Sequence, residues 1–211
     1  MQRIPSKTVE RLIVYRRVLA SSTDGRSGHV YSHELAGMAR VSAVQVRRDL
    51  MEAGFSGSPS RGYEVDELLG RIDRILDAPD GMKAVLVGVG NIGRALLSFL
   101  AGRGLKIEVV AAFDSDAAKI NRVISGCRVY DMQMLPERSR ALGARLGVIA
   151  VPGPQAQAVA DALVESGVAG ILNFAPVPLL VRAGVHVEQV DIMRALEKVA
   201  HFAKQEKARE V

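Results

Sequence analysis

The stretch AVLVGVGNIGRALLSFL, Ala84 to Leu100, restricts the folds open to this chain more than any other segment. Ala84–Val87 is apolar without alternation, as expected of a strand covered on both faces in a parallel sheet. Gly88, Val89, Gly90, Asn91, Ile92 and Gly93 then match G-x-G-x-x-G, and RALLSFLAGRG supplies the helix that such a turn opens. Gly88 permits the tight turn, Gly90 lets a pyrophosphate approach the backbone, and Gly93 lets the helix pack closely on the strand. Amides of the first helical turn have no acceptor within the helix and stabilise phosphate charge.

A second buried strand is expected over Ile107–Phe113, ending at Asp114, 21 positions beyond Gly93. A carboxylate there accepts hydrogen bonds from an adenosine ribose diol and repels a 2′-phosphate, which favours NAD over NADP; the neighbouring Ser115 leaves some latitude. A lone glycine motif carries little weight, but strand, glycine turn, helix, strand and terminal acid in order define a Rossmann domain. Further strands are expected at Arg145–Val151, Gly170–Phe174 and VHVEQV, with a helix over Gln155–Glu165. Strand ends in such a sheet border the cofactor crevice, so Val151, Pro152, Asn173, Phe174 and Ala175 are candidates for its nicotinamide end. The alternatives are an ordinary core aromatic at Phe174 and a turn residue at Asn173.

The residues after the last strand, DIMRALEKVAHFAKQEKAREV, suffice for one helix and not for a substrate domain. No histidine–carboxylate pair nominates a hydride-transfer acid or base, since His186 and Glu188 read as neighbours along a strand. Binding without turnover is the expectation, with no catalytic residues. Two alternatives stay open: a small-substrate reductase completed by oligomerisation, and a CoA-binding regulatory domain, against which Asp114 counts.

The charge of the chain is concentrated at its start. Residues 1–63 carry ten Lys or Arg against five Asp or Glu, and residues 64–211 carry eighteen of each. A basic head on a neutral body suits a polyanion, although a solvated charged face is the simpler alternative. Val9, Leu12, Ile13, Val18 and Leu19 follow helical spacing after a Ser6 cap, and Ser32 can cap a short helix, SHELAGMA. After a turn at Arg40 and Val41, Ser42 and Gln45 have capping-box spacing, Val46 and Leu50 face inward, and Gly54 can end the helix. Two short helices about a tight turn form a helix-turn-helix. Its second helix presents Gln45, Arg47 and Arg48 to base edges or phosphates, with Ser42 and Val44 at its leading turn. FSGSPSRGYEV is expected to form two short extended segments, a wing carrying Arg61. The competing interpretation is a small helical domain with solvated arginines.

The proline and glycine of Ala78–Gly81 mark a junction, giving domains over 1–80 and 81–190 and a terminal helix over 191–211. With 48% hydrophobic residues the chain holds enough apolar material for folded cores. One cysteine, Cys127, excludes an internal disulfide, and His29, His33, His186 and His201 are too scattered for a zinc site, so no metal is expected. Arg16 and Arg17 interrupt the apolar run near the start, which argues against a signal peptide or membrane span and for the cytoplasm.

Taken together, RLIVYRRVL, SAVQVRRDL, GVGNIGRALL, GILNFAP and VDI, in this order and spacing over almost the whole chain, resemble the Rex family of redox-sensing transcriptional repressors. The resemblance implies an N-terminal winged helix-turn-helix domain, a Rossmann-type parallel-sheet α/β domain that binds NAD(H), and a C-terminal helix exchanged between the subunits of a homodimer. It implies operator double-stranded DNA held when NADH is low and released on binding NADH. Ile192, Leu196, Val199, Ala200 and Ala203 would lie against the partner, and Arg17 matches an arginine that pairs with the opposing subunit's counterpart of Asp191. Two positions depart from the family pattern. Phe99 stands where some members have a tyrosine that bonds the switch aspartate, and Ile192 where some have phenylalanine, so sensing here would rest more on packing and on Arg17 with Asp191. The wing also departs, with Ser60 at its turn.

Overall fold

The computed structural model describes residues 4–22, 28–55, 61–78, 80–101 and 106–207. The chain divides into two compact units, Met1–Pro79 and Asp80–Val211.

In the first unit, helix α1 (Ser6–Ser22) is followed by strand β1 (His29–Val30), helices α2 (Ser32–Ala39) and α3 (Ala43–Glu52), strand β2 (Tyr63–Glu64) and helix α4 (Val65–Leu76). Leu12, Tyr15 and Leu19 of α1, Leu35 of α2, Val46 and Leu50 of α3, and Leu68 and Ile72 of α4 share one apolar core. Each such fully buried Leu or Ile stabilises the fold by about 1.5–3 kcal/mol. The turn between α2 and α3 passes through Arg40 in the left-handed conformation, φ 54°. Ser42 Oγ then accepts from the Gln45 amide at 3.1 Å, and Gly54 at φ +82° closes α3.

One local detail differs from the sequence reading. The cap of α2 is Tyr31 and not Ser32: the Tyr31 amide donates to Glu34 Oε2 at 2.7 Å, so the helix starts one residue earlier in the capping scheme. The strand that ends the proposed wing, β2, pairs antiparallel with β1, and Gly62 lies so close to this ladder that a Cβ would sit 2.6 Å from the Val30 carbonyl oxygen. Residues 56–60, including Ser60, lie outside the described residues.

The second unit contains strands β3 (Met82–Val87), β4 (Ile107–Asp114), β5 (Val123–Ile124), β6 (Cys127–Asp131), β7 (Leu146–Ile149), β8 (Gly170–Asn173) and β9 (His186–Gln189). Their order is β5-β6-β4-β3-β7-β8-β9, with every pairing parallel except β5 to β6. Omitting the β5 edge, this is the doubly wound order, and it reverses between β3 and β7. Helix α5 (Asn91–Leu100) follows β3, α6 (Leu135–Ala141) follows β6 and a 3-10 turn, α7 (Gly153–Glu165) follows β7, and α8 (Ile192–Lys207) follows β9. Strand alternation supplies both cores. Val85, Val87 and Phe113 join Ala156, Ala160 and Leu163 of α7, while Leu86 and Ala112 join Leu97 of α5 on the other face. The β5–β6 hairpin and α6 were not anticipated.

Candidate functional site

The glycine turn leaves β3 at the point where the strand order reverses. Gly88 has φ +94°, and a Cβ there would lie 2.5 Å from the Ala150 carbonyl oxygen, so both conformation and space require glycine. Gly93 is tighter still, its Cβ position falling 1.9 Å from the Gly88 oxygen. Gly90 is the opposite case: nothing lies within 4 Å of its Cβ position. The turn is therefore packed on two sides and open at its middle glycine, beside the first turn of α5, where Asn91 and Ile92 are exposed.

Asp114 closes the other side of this opening. Its Oδ2 accepts from the Val89 amide at 2.7 Å and from Lys119 Nζ at 3.1 Å, and its Oδ1 accepts from the Asp116 amide at 2.9 Å. Burial alone would raise its pKa, but the two amides and the Lys119 ammonium outweigh it and hold the carboxyl below its ordinary value. A cavity of about 590 Å3 is lined by Gly88, Gly90, Asp114, Ser115, Lys119, Met132, Val151, Pro152 and Gln155, among others. Lys119, Met132 and Gln155 were not foreseen. A lysine five residues past the acid in a turn, and a glutamine opening the helix after β7, were the available signals.

The structure groups the sequence-predicted residues unevenly. Gly88, Gly90, Asp114, Val151 and Pro152 meet at the cavity; Val89 and Gly93 are buried behind it. Asn173 ends strand β8, Phe174 and Ala175 follow it, and all three are absent from the cavity wall. Asn173 is fully buried, its amide nitrogen donating to the Val177 carbonyl and to Gln189 Oε1, its oxygen accepting from the Ala175 amide. Phe174 packs on the core beneath α5. Cys127, at the start of β6, is buried, and burial pushes its thiol up to about 11.

In the first unit, α3 exposes Val44, Arg47 and Arg48 together with Ser42 at its cap. Arg47 Nη1 donates to Ser32 Oγ at 3.1 Å, and Arg48 Nε lies 3.5 Å from Glu52 Oε1 with most of its side chain in solvent. Gln45 behaves differently. Its Nε2 donates to Asp49 Oδ1 at 2.8 Å, towards the interior. Asp49, fully buried on the inner face of α3, also accepts from Arg11 and from the Tyr15 hydroxyl. Burial would raise the Asp49 pKa, yet hydrogen bonds from Arg11, Tyr15 and Gln45 lower it, and the same burial and bond raise that of Tyr15. Arg61 is exposed just before β2.

Among the switch candidates, Arg17 lies on the exposed face of α1, Phe99 is 53% exposed on α5, and Ile192 is 59% exposed at the start of α8. Asp191 Oδ1 accepts from the Arg194 amide at 2.8 Å and so caps α8. Beyond it Met193, Leu196, Val199 and Phe202 are all more than half exposed. Among the described residues, no three His, Cys, Asp or Glu side chains cluster as a metal site, and no helix is long and apolar enough to cross a membrane.

A helix-turn-helix head with a two-stranded ladder, joined to a Rossmann unit with an open glycine turn and a terminal acid, defines the class of nucleotide-responsive DNA-binding regulators. Residues 80–177 match the family model of the CoA binding domain, and residues 3–50 match that of the "Putative DNA-binding protein N-terminus". The chain is 35% identical to the redox-sensing transcriptional repressor Rex of Lactobacillus acidophilus, over 97% of each protein. It is 36% identical to that of Limosilactobacillus reuteri, over 96% of this chain and 95% of the relative. The crystal structure of RSP, a Rex-family repressor, in complex with beta-NAD+ and operator DNA superposes with a TM-score of 0.92 at 26% identity, covering 100% of this chain and 97% of that one. The RSP complex with beta-NADH gives a TM-score of 0.85, covering 100% of this chain and 99% of that one. The chain belongs to the Rex family of redox-sensing transcriptional repressors.

Proposed function

We propose that this chain is an NAD(H)-responsive transcriptional repressor that holds operator DNA when NADH is low and releases it on binding NADH. The observation that carries this reading is the pairing, in one chain, of an open glycine turn facing Asp114 with a capped helix that exposes Arg47 and Arg48. The residues present fit the dinucleotide: the space beside Gly90 is the cradle a Cβ would fill, at the start of a helix whose amides favour phosphate. When bound, the dinucleotide supplies the redox-sensitive nicotinamide.

Gly88 to Gly93 would hold the pyrophosphate, Asp114 the adenosine ribose, and Val151 and Pro152 the wall of the crevice, with Asn173, Phe174 and Ala175 shaping its far end. Ser42, Val44, Gln45, Arg47, Arg48 and Arg61 form the proposed DNA face, Gln45 through its Oε1, since its Nε2 is held inward by Asp49. Domains over 1–80, 81–190 and 191–211 assign reading, sensing and dimerisation. The row of exposed apolar side chains on α8 supports burial of that helix against a second copy, exchanged between subunits. Arg17 and Asp191 of opposing subunits would pair in one orientation of the heads, and Phe99 and Ile192 would contribute packing where a hydroxyl is missing. The buried, weakly acidic thiol of Cys127 is a poor redox sensor, which leaves sensing to the dinucleotide.

Calorimetric titration of the protein with NADH, NAD+ and CoA tests the ligand assignment. Tight binding of NADH that CoA does not compete for is expected; CoA binding with indifference to NADH would overturn it.

A further inference from the structure

Lys119 alters what Asp114 can do. On the dinucleotide reading above, an acid at the end of β4 selects NAD because it repels a 2′-phosphate. Here the acid does not stand alone: Lys119 Nζ lies 3.1 Å from Asp114 Oδ2 and 3.4 Å from Asp116 Oδ2, at the wall of the same cavity. With both carboxylates ionised the group carries one net negative charge; without the ammonium it would carry two. Lys119 also fixes the carboxylate. Oδ2 already accepts from the Val89 amide and from Lys119, whereas Oδ1 accepts from the Asp116 amide alone among the described bonds, so Oδ1 retains the greater capacity for a ribose hydroxyl.

We propose that Lys119 is a specificity-determining residue of the crevice, orienting Asp114 towards the ribose diol and moderating the repulsion by which Asp114 excludes NADP(H). The proposal rests on the dinucleotide reading of this site. The pair is mutually reinforcing, since the bond to Asp114 raises the Lys119 pKa, while, against the opposing effect of burial, the two amides and Lys119 hold that of Asp114 down.

The test is calorimetric measurement of Kd for NADH and NADPH on the full chain and its Lys119→Met and Lys119→Arg variants, after circular dichroism has shown that their folds match. Lys119→Met is expected to weaken NADH binding a few-fold and NADPH binding more, raising the NADPH-to-NADH Kd ratio by about tenfold. Lys119→Arg, which keeps the charge, is expected to hold the ratio within about threefold. A ratio unchanged or lowered in Lys119→Met overturns the proposal while NADH binding by the unaltered protein upholds the site. Failure of the unaltered protein to bind either dinucleotide overturns both.

Discussion

Arg11 grips Asp49 through both carboxylate oxygens, Nε to Oδ2 and Nη2 to Oδ1, each at 2.6 Å. This contact fastens α1 to the inner face of the proposed reading helix, and Tyr15 and Gln45 complete the carboxylate's hydrogen bonds. Removing one partner of such a pair leaves a buried charge uncompensated, so Arg11→Met is expected to destabilise the head by about 3 kcal/mol at pH 7. Because the folded pKa of Asp49 is lowered, its contribution is present above the unfolded carboxyl value of about 4 and is lost as pH falls through the folded one. Urea unfolding followed by tyrosine absorbance reads this directly, since Tyr15, Tyr31 and Tyr63 lie in the first unit. The gap between the two proteins should narrow at pH 3; an equal gap at both pH values would contradict the assignment.

Arg47 and Arg48 differ in what holds them, a serine hydroxyl in one case and a weak exposed ion pair in the other. Such a pair contributes at most about 1 kcal/mol, so Arg48 is free to turn to a phosphate at little cost. Arg48→Ala should weaken operator binding evenly across sequences and lower the salt slope by about one. Arg47→Ala should weaken it too, with base-dependent loss if the guanidinium reaches a base edge. Wild-type affinity in both variants across a salt series would rule out α3 as the reading helix.

The glycine turn makes a paired prediction. At Gly90 the backbone is extended and a side chain has open space, so Gly90→Val should fold with little change in Tm and yet lose NADH binding. At Gly93 an added methyl meets the Gly88 carbonyl, so Gly93→Ala should lower stability by about 1–3 kcal/mol or more. A stable Gly90→Val protein with unaltered NADH affinity would move the pyrophosphate elsewhere.

Coupling between sensing and reading is proposed to run through Arg17 and Asp191. Operator affinity with and without saturating NADH, measured for the unaltered protein, Arg17→Ala, Asp191→Ala and the double variant, gives their interaction energy. A non-additive effect on the NADH-induced change of about 1 kcal/mol or more is expected. Additive effects in variants that remain dimeric would remove the pair from the switch.

What was legible in the sequence is what is specified locally. Strand, glycine turn, helix and terminal acid occupy adjacent residues, Ala84 to Asp114, and each imposes its own steric or hydrogen-bonding requirement. The β5–β6 hairpin was missed although Ser125 and Gly126, both at positive φ, form a recognisable turn, because β5 is two residues long and follows Arg122, and Arg128 interrupts the apolar pattern of β6. The pairing of β1 with β2 joins residues more than 30 positions apart and leaves no local pattern. Asp49 lies in a charged run, RRDL, where nothing nearby reveals that it turns inward: its partner Arg11 is 38 residues upstream. Lys119 escaped notice for a related reason, since a lysine in a turn acquires meaning when the chain folds it back onto Asp114.

The most direct test of the central claim is fluorescence polarisation of a labelled operator duplex bound to the protein, titrated with NADH at constant NAD+ and ionic strength. A loss of operator affinity of roughly 5- to 150-fold on NADH saturation, with NAD+ alone leaving the complex intact, is the expected result. Operator affinity that is unchanged at NADH concentrations shown by calorimetry to saturate the protein would contradict it.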